Sequence, residues 1–265
     1  MLIEMINNLV LKFKKKASES LLFEKIVSML KTFIKIILTI SARSDLKRKT
    51  AKVKTFNDYI DLSFSYNYTP IKRLRFKLLI RPLQIKYEIS QFFKLVVKYQ
   101  PKIVLEIGTS RGGNFLLFIK FSSPNALLIS LDLPGGKFGG GYNRWVGYFL
   151  KSFALDSQKI SLIRADSHKL SSLKKVKKVL KNKQIDLLYI DGDHSYEGVT
   201  KDFDMYSPLV KKGGIIAFHD IVDHPIEIKC EVSKFWNEIK NKYEYKEIVE
   251  NWDQKKCGIG LIKKK

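Results

Sequence analysis

Cysteine is scarce in this 265-residue chain: only Cys230 and Cys257 occur, in no CxxC pair and with no Cys/His spacing of a zinc site. Neither a disulfide framework nor a structural zinc is indicated, and a reducing, cytoplasmic compartment suits such a chain. Proline is scarce too, at 7 residues, and with 45% hydrophobic residues the collagen-like, low-complexity and disordered classes fall away. No apolar run reaches the about 20 residues of a membrane-spanning helix. The nearest, residues 26–40 (IVSMLKTFIKIILTI), carries Lys31 and Lys35, and it starts too late for a secretory signal. Acidic residues are the last deficit: 26 Asp and Glu stand against 49 Lys and Arg, a net charge of +23. A field of that sign steers polyanions and anionic membrane surfaces towards the protein.

The length suits one large domain, or a core of about 150 to 200 residues with an extension. The basic surplus is concentrated early, 21 basic against 7 acidic residues up to position 100 and 28 against 19 beyond it. Within 26–40, Ser28, Lys31, Lys35 and Thr39 recur at helical spacing beside a wide apolar face, which predicts an amphipathic helix. Three partners suit it: the rest of the chain, a second subunit in a homo-oligomer, or an anionic membrane surface, which would make the protein peripheral to the membrane. Residues 41–81 show no clear period and read as connector or lid. The chain thus divides into a basic, partly helical extension, 1–80, and a domain, 81–265.

The domain is orderly. A helical stretch from 83 to 99 is stopped by Pro101. Apolar runs at 103–107, 127–132, 159–164, 185–190 and 214–218 then alternate with helical segments near 113–121, 143–154, 169–181, 196–210 and 227–241. This alternation predicts an α/β, Rossmann-like, doubly wound sheet, mostly parallel, with helices on both faces. Ligands of such sheets bind outside the carboxyl ends of the strands.

The first of those ends reads Glu106-Ile-Gly108-Thr109-Ser110-Arg111-Gly112-Gly113. Glycines there allow a sharp turn and close approach to a ligand beside helix N-terminal amides. A dinucleotide fingerprint would place glycine where Ser110 stands, so a pyrophosphate is disfavoured. Asp132 ends the second run 24 residues after Gly108, where a carboxylate accepts the hydroxyls of a ribose. Asp166, after the third, is placed to receive an exocyclic amine. Each acid alone could equally cap a helix or a turn.

The runs VLEIGTSRGGNF, LDLPGG, RADSH, IDLLYIDGDHSYEGVTKDF and LVKKGGIIAFHDIV together resemble class I S-adenosylmethionine-dependent methyltransferases. The subgroup is the one with a D-G-D-H turn and a terminal H-D, similar to methyltransferase family 24, cephalosporin-hydroxylase-like proteins and sugar O-methyltransferases. The resemblance spans about 83–265 and implies S-adenosylmethionine as cofactor. Glu106, Gly108, Thr109, Ser110 and Gly112 would surround its methionine part, Asp132 its ribose and Asp166 its adenine. It also implies that 245–262 supplies an antiparallel pair completing a seven-stranded sheet.

The reacting groups follow the fourth and fifth runs: Asp191-Gly192-Asp193-His194 and His219-Asp220. If these strands are neighbours, their ends lie about 5 Å apart and the side chains can converge. Asp191, His219 and Asp220 would then suit a divalent cation, Mg²⁺ or Mn²⁺ if oxygen donors dominate. His194, expected to titrate near neutrality, would be the general base beside catalytic Asp191. The resemblance supports an acidic ligand at Asp191 and two more after the fifth strand, but His219 stands where better-known members carry a carboxylate or amide. The bland alternative is a tight turn with Asp193 or His194 capping the next helix. The glycine-rich stretch 134–142 reads as a lid or as a mobile loop, with Tyr142 and Trp145 as candidates for stacking on substrate. The expected reaction is methyl transfer to a hydroxyl of a glycan or other small polar acceptor. RNA ribose methylation is the competing activity, and a non-catalytic cofactor-binding or membrane-associated protein the third reading.

Overall fold

The computed structural model describes residues 21–69, 80–135, 142, 144–155 and 157–265. Its centre is one seven-stranded sheet of β1 (Ile103–Ile107), β2 (Leu127–Asp132), β3 (Lys159–Arg164), β4 (Ile185–Ile190), β5 (Val210–His219), β6 (Glu244–Ile248) and β7 (Ile259–Lys263). The spatial order is β3-β2-β1-β4-β5-β7-β6. The first five strands are parallel, and β7 runs antiparallel to both its neighbours. β1 and β4 are buried along their whole length, as strands rich in Ile, Val and Leu and covered on both faces are, with Glu106, Asp186 and Tyr189 the exceptions to the aliphatic run.

The helices are α1 (Leu21–Thr50), α2 (Phe56–Ser65), α3 (Lys86–Tyr99), α4 (Gly113–Phe121), α5 (Arg144–Lys151), α6 (Leu170–Leu180), α7 (Tyr196–Tyr206) and α8 (Val232–Ile239). One face of the sheet carries α3, α4 and α5, with Phe92, Phe93, Phe118 and Phe149 in its core. The other carries α6, α7 and α8, with Val176, Val199, Tyr206 and Trp236. Alternation along β1 divides the two: Val104 joins the first core, Leu105 and Ile107 the second.

Several boundaries differ from the sequence expectation, each for a local reason. The period-less stretch 41–69 is largely helical: α1 continues to Thr50, and α2 starts on a capping box in which Thr55 and Asp58 accept each other's backbone N–H. Ala42, Leu46, Tyr59 and Ile60 enter the same core as Phe92 and Phe118, so these helices of the extension pack onto the sheet domain. Residues 83–85 precede α3 instead of opening it. α7 stops at Tyr206, where Ser207–Leu209 form a 3₁₀ turn carrying Pro208. α8 starts only at Val232, because Pro225, a short 3₁₀ turn and Lys229 at φ +54° occupy the preceding residues.

Candidate active site

β1 lies between β2 and β4, so the chain reverses its direction of winding there, and a cavity of about 570 Å³ opens over the carboxyl ends of the strands at that point. All five parallel strands contribute: Gly108 to Arg111, Asp132, Asp166 to His168, Asp191 to His194, and His219 with Asp220.

Backbone contact fixes its floor. The Asp191 N–H donates to the Ile107 carbonyl at 2.9 Å and the Gly108 N–H to that of Leu131 at 2.9 Å. A Cβ on Gly108 would lie 1.8 Å from the Asp191 carbonyl oxygen, and the residue sits at φ +86°. Only glycine fits. Ser110 continues the turn at φ +48°, and Thr109 is tied back to β2 by a 2.7 Å contact between its Oγ1 and Ser130 Oγ. Gly112 faces the side chain of Leu150, away from the cavity.

Beneath this turn lies Glu106, wholly buried, neither carboxylate oxygen having a hydrogen-bond partner. Burial drives its pKa well above the ordinary carboxylate range; the Thr109 hydroxyl opposes this, and the charges of Asp191 and Asp132 reinforce it. Glu106 itself does not line the cavity; it lies directly behind the turn that does. Asp132 is buried at the end of β2 and accepts the Tyr142 N–H at 3.2 Å. Asp166 lines the cavity while accepting the His168 N–H at 2.9 Å, so it serves as a turn residue as well.

On the other side, β4 and β5 are hydrogen-bonded neighbours, and their terminal side chains converge. His219 Nδ1 lies 3.2 Å from Asp191 Oδ1 and 3.1 Å from Asp220 Oδ2, within ion-pair range, although neither ring nitrogen makes a well-aligned hydrogen bond. His194 Nδ1 is 3.1 Å from Asp220 Oδ2, and its Nε2 is 3.6 Å from Asp191 Oδ1. The structure thus brings Asp191, His194, His219 and Asp220 together. Asp193 is the exception: its Oδ1 accepts the N–H and hydroxyl of Ser195, which in turn caps α7, so this acid shapes the turn.

The charges depend on one another. Burial raises Asp191 and Asp220, but the imidazoles, His219 foremost, outweigh it; Asp191 is lowered and Asp220 held well below the ordinary range. Burial likewise opposes a proton on His194, yet Asp191, Cys230 and Asp220 together push its pKa up to about 10. This corrects the expectation that His194 titrates near neutrality: two buried carboxylates flank the ring.

Sequence spacing gave no sign of several neighbours. His224 Nε2 lies 3.2 Å from Asp220 Oδ1 while its Nδ1 contacts the Val222 carbonyl at 2.8 Å. Cys230 approaches His194 and His224, whose hydrogen bonds lower its thiol against the opposing effect of burial. Ligand atoms of His194, Asp220 and Cys230 lie within 4.8 Å of one another, as do those of His219, Asp220 and Cys257. Oxygen, nitrogen and sulfur together fit a borderline divalent cation better than the all-oxygen shell that Mg²⁺ favours. Gln84 Nε2 donates to Tyr189 Oη at 2.7 Å and to Asp191 Oδ2 at 3.0 Å, and its Oε1 is buried without a partner. Asn114 Oδ1 is likewise buried and unpartnered at the cavity wall.

The suggested stacking role of Tyr142 does not survive. Its ring is buried, and its hydroxyl contacts Ser130 at 3.0 Å. Most of the glycine-rich stretch, 136–141, and the Trp145 side chain lie outside the described residues.

This strand order, with an antiparallel β7 inserted beside β5 and a glycine turn after β1, defines a class I methyltransferase fold. Residues 105–221 match the family model described as a methyltransferase domain, Methyltransf_24. Among solved structures, the O-methyltransferase TomG from Streptomyces achromogenes, in complex with S-adenosylmethionine, superposes with a TM-score of 0.53 at 13% identity, covering 84% of this chain and 96% of that one. An O-methyltransferase from Bacillus cereus, in complex with SAH, gives 0.51 at 12% identity, over 83% and 97%. At such identities the likeness establishes the fold. A 40-residue stretch is 52% identical to uncharacterized protein R132 of Acanthamoeba polyphaga mimivirus, covering 15% of this chain and 18% of that protein.

Proposed function

We propose that this chain methylates a hydroxyl of a glycan or other small polar acceptor, using S-adenosylmethionine and a divalent cation. The observation that carries the reading is the meeting, in one cavity, of a glycine turn and the strand-end acids Asp132 and Asp166 with a carboxylate–imidazole cluster from the two adjoining strands.

In this reading Glu106 and the turn 108–110 hold the methionine part of the cofactor, Asp132 its ribose hydroxyls and Asp166 the adenine edge. The cofactor supplies a methyl group on an electron-poor sulfur. Asp191, His219 and Asp220 hold the cation, whose charge makes a neighbouring hydroxyl more acidic. His194 would take the hydroxyl proton as the acceptor oxygen receives the methyl group, the chemistry that S-adenosylmethionine would supply when bound. For His194 to do this, the field of Asp191 and Asp220 that retains its proton must be neutralised, which charge bound at those carboxylates achieves. Holding both reactants over one floor makes the transfer chiefly a matter of positioning.

The test is calorimetry with S-adenosylmethionine, with and without Mg²⁺ or Mn²⁺, followed by methyl-transfer assays on sugars and on RNA oligonucleotides. Cofactor binding, cation-stimulated sugar methylation and a loss of about 10² to 10⁴ in rate for His194→Ala are expected. Cofactor binding with no turnover on any acceptor, unchanged in Asp191→Ala, would overturn the catalytic reading. The net charge of +23 favours RNA as the second acceptor; a steep fall of RNA affinity with salt, accompanied by methylation, would select it.

A further inference from the structure

α1 has two apolar faces. Val27, Leu38, Ala42 and Leu46 are buried. Ile26, Met29, Phe33, Ile37 and Ile40 point outward, from 44% exposed at Ile37 to 71% at Met29. Their spacing of three and four residues places them, at about 100° per residue, in a continuous stripe about 80° wide. Scattered single apolar residues on a surface need no explanation, but an unbroken row over four helical turns does.

Charge chooses the occupant. Along α1 seven cationic residues, Lys25, Lys31, Lys35, Arg43, Lys47, Arg48 and Lys49, stand against Glu24 and Asp45, and Asp45 is already paired with Arg48 and Lys49, leaving no acid from Lys25 to Ser44. Beyond Ile40 the outward side passes into exposed Arg43, Lys47 and Arg48. The first twenty residues add Lys12, Lys14, Lys15 and Lys16 against Glu4 and Glu19. A second copy pairing along this stripe would bring like charges together with no acid between Lys25 and Ser44 to offset them. An anionic lipid surface offers an apolar layer for the stripe and negative headgroups for its basic border. No helix among the described residues is long and apolar enough to cross a membrane, so α1 would lie in the plane of the interface.

We infer that α1 docks the protein on an anionic bilayer, with Ile26, Met29, Phe33, Ile37 and Ile40 inserted among the acyl chains and Lys25, Arg43 and Lys47 at the headgroups. The inference is independent of the proposed methyl transfer. Flotation of the full chain with phosphatidylcholine vesicles, with and without phosphatidylglycerol, tests it. Binding to the anionic vesicles alone is expected, weakened by salt. The double variant Met29→Ser/Phe33→Ser should lower the vesicle-bound to free ratio about tenfold or more without a change in melting temperature, because both side chains are exposed. Arg43→Glu/Lys47→Glu should do the same. Equal flotation of wild type and the stripe variant would overturn the inference. So would wild type that stays unbound and is dimeric by light scattering while the stripe variant is monomeric, which assigns the stripe to a second copy.

Discussion

Gly108 has no substitute among the amino acids. Alanine there places a methyl group on the Asp191 carbonyl and must also hold φ +86°. Gly108→Ala should therefore cost about 3 kcal/mol or more in urea unfolding and abolish cofactor binding by calorimetry, whereas a passive loop glycine would lose a fraction of that. A second residue-scale prediction concerns His168, 3.4 Å from the wholly buried Asp202. Asp202 raises the imidazole above its ordinary value of 6.5, burial opposes, and Asp166 and Asp193 add to the rise. A raised histidine stabilises the fold fully below its unfolded pKa and loses that contribution as pH climbs through the folded one. The urea midpoint of wild type should thus exceed that of His168→Gln most below about pH 6, and the gap should close in alkali. A gap independent of pH would show that the imidazole acts by shape alone.

At the scale of elements, Glu88 ties α3 to the β6–β7 connection. It is fully buried; Oε1 accepts from Glu250 N and Gln254 Nε2, and Oε2 accepts from Gly258 N at 2.9 Å. Glu88→Ala leaves three donors unpaired and should cost about 3 kcal/mol, with amide exchange rising first at 250–258. The element pattern itself was legible where burial is complete. β1, β2 and β4 stand where the apolar runs stand, because strands covered on both faces admit little else; edge strand β3 is only partly buried yet keeps its run. β5 is longer than its run, since its first residues are Val210 and the Lys-Lys-Gly-Gly stretch, whose composition conceals a strand. The site was legible in part for a related reason. Asp191, His194, His219 and Asp220 sit at strand ends that topology makes neighbours. His224 reaches the cavity, and Gln84 and Cys230 reach its residues Asp191 and His194, along loops whose paths depend on tertiary packing, and no spacing in the chain encodes that.

For the whole molecule, the shared core of the extension and the sheet decides how it unfolds. Tyr59 and Phe121 meet edge to face with ring centroids 5.5 Å apart, and Tyr66 hydrogen-bonds back to the Ala42 carbonyl within the cluster that holds Phe92. Scanning calorimetry should show a single transition with equal calorimetric and van't Hoff enthalpies, although composition alone divides the chain near residue 80. Two resolved peaks would mean that α1 and α2 melt by themselves.

The interlocked ends of β1 and β4 also limit how the molecule can breathe. With main chain pressed against main chain at Gly108 and Asp191, the ends of β1 and β4 cannot approach each other further. The rim is built from other segments: Arg81 to Leu83 lie over the start of α4, and Ile228 borders the cavity as well. Any adjustment of the cavity to a ligand is expected at those two borders, above a base that main-chain packing holds.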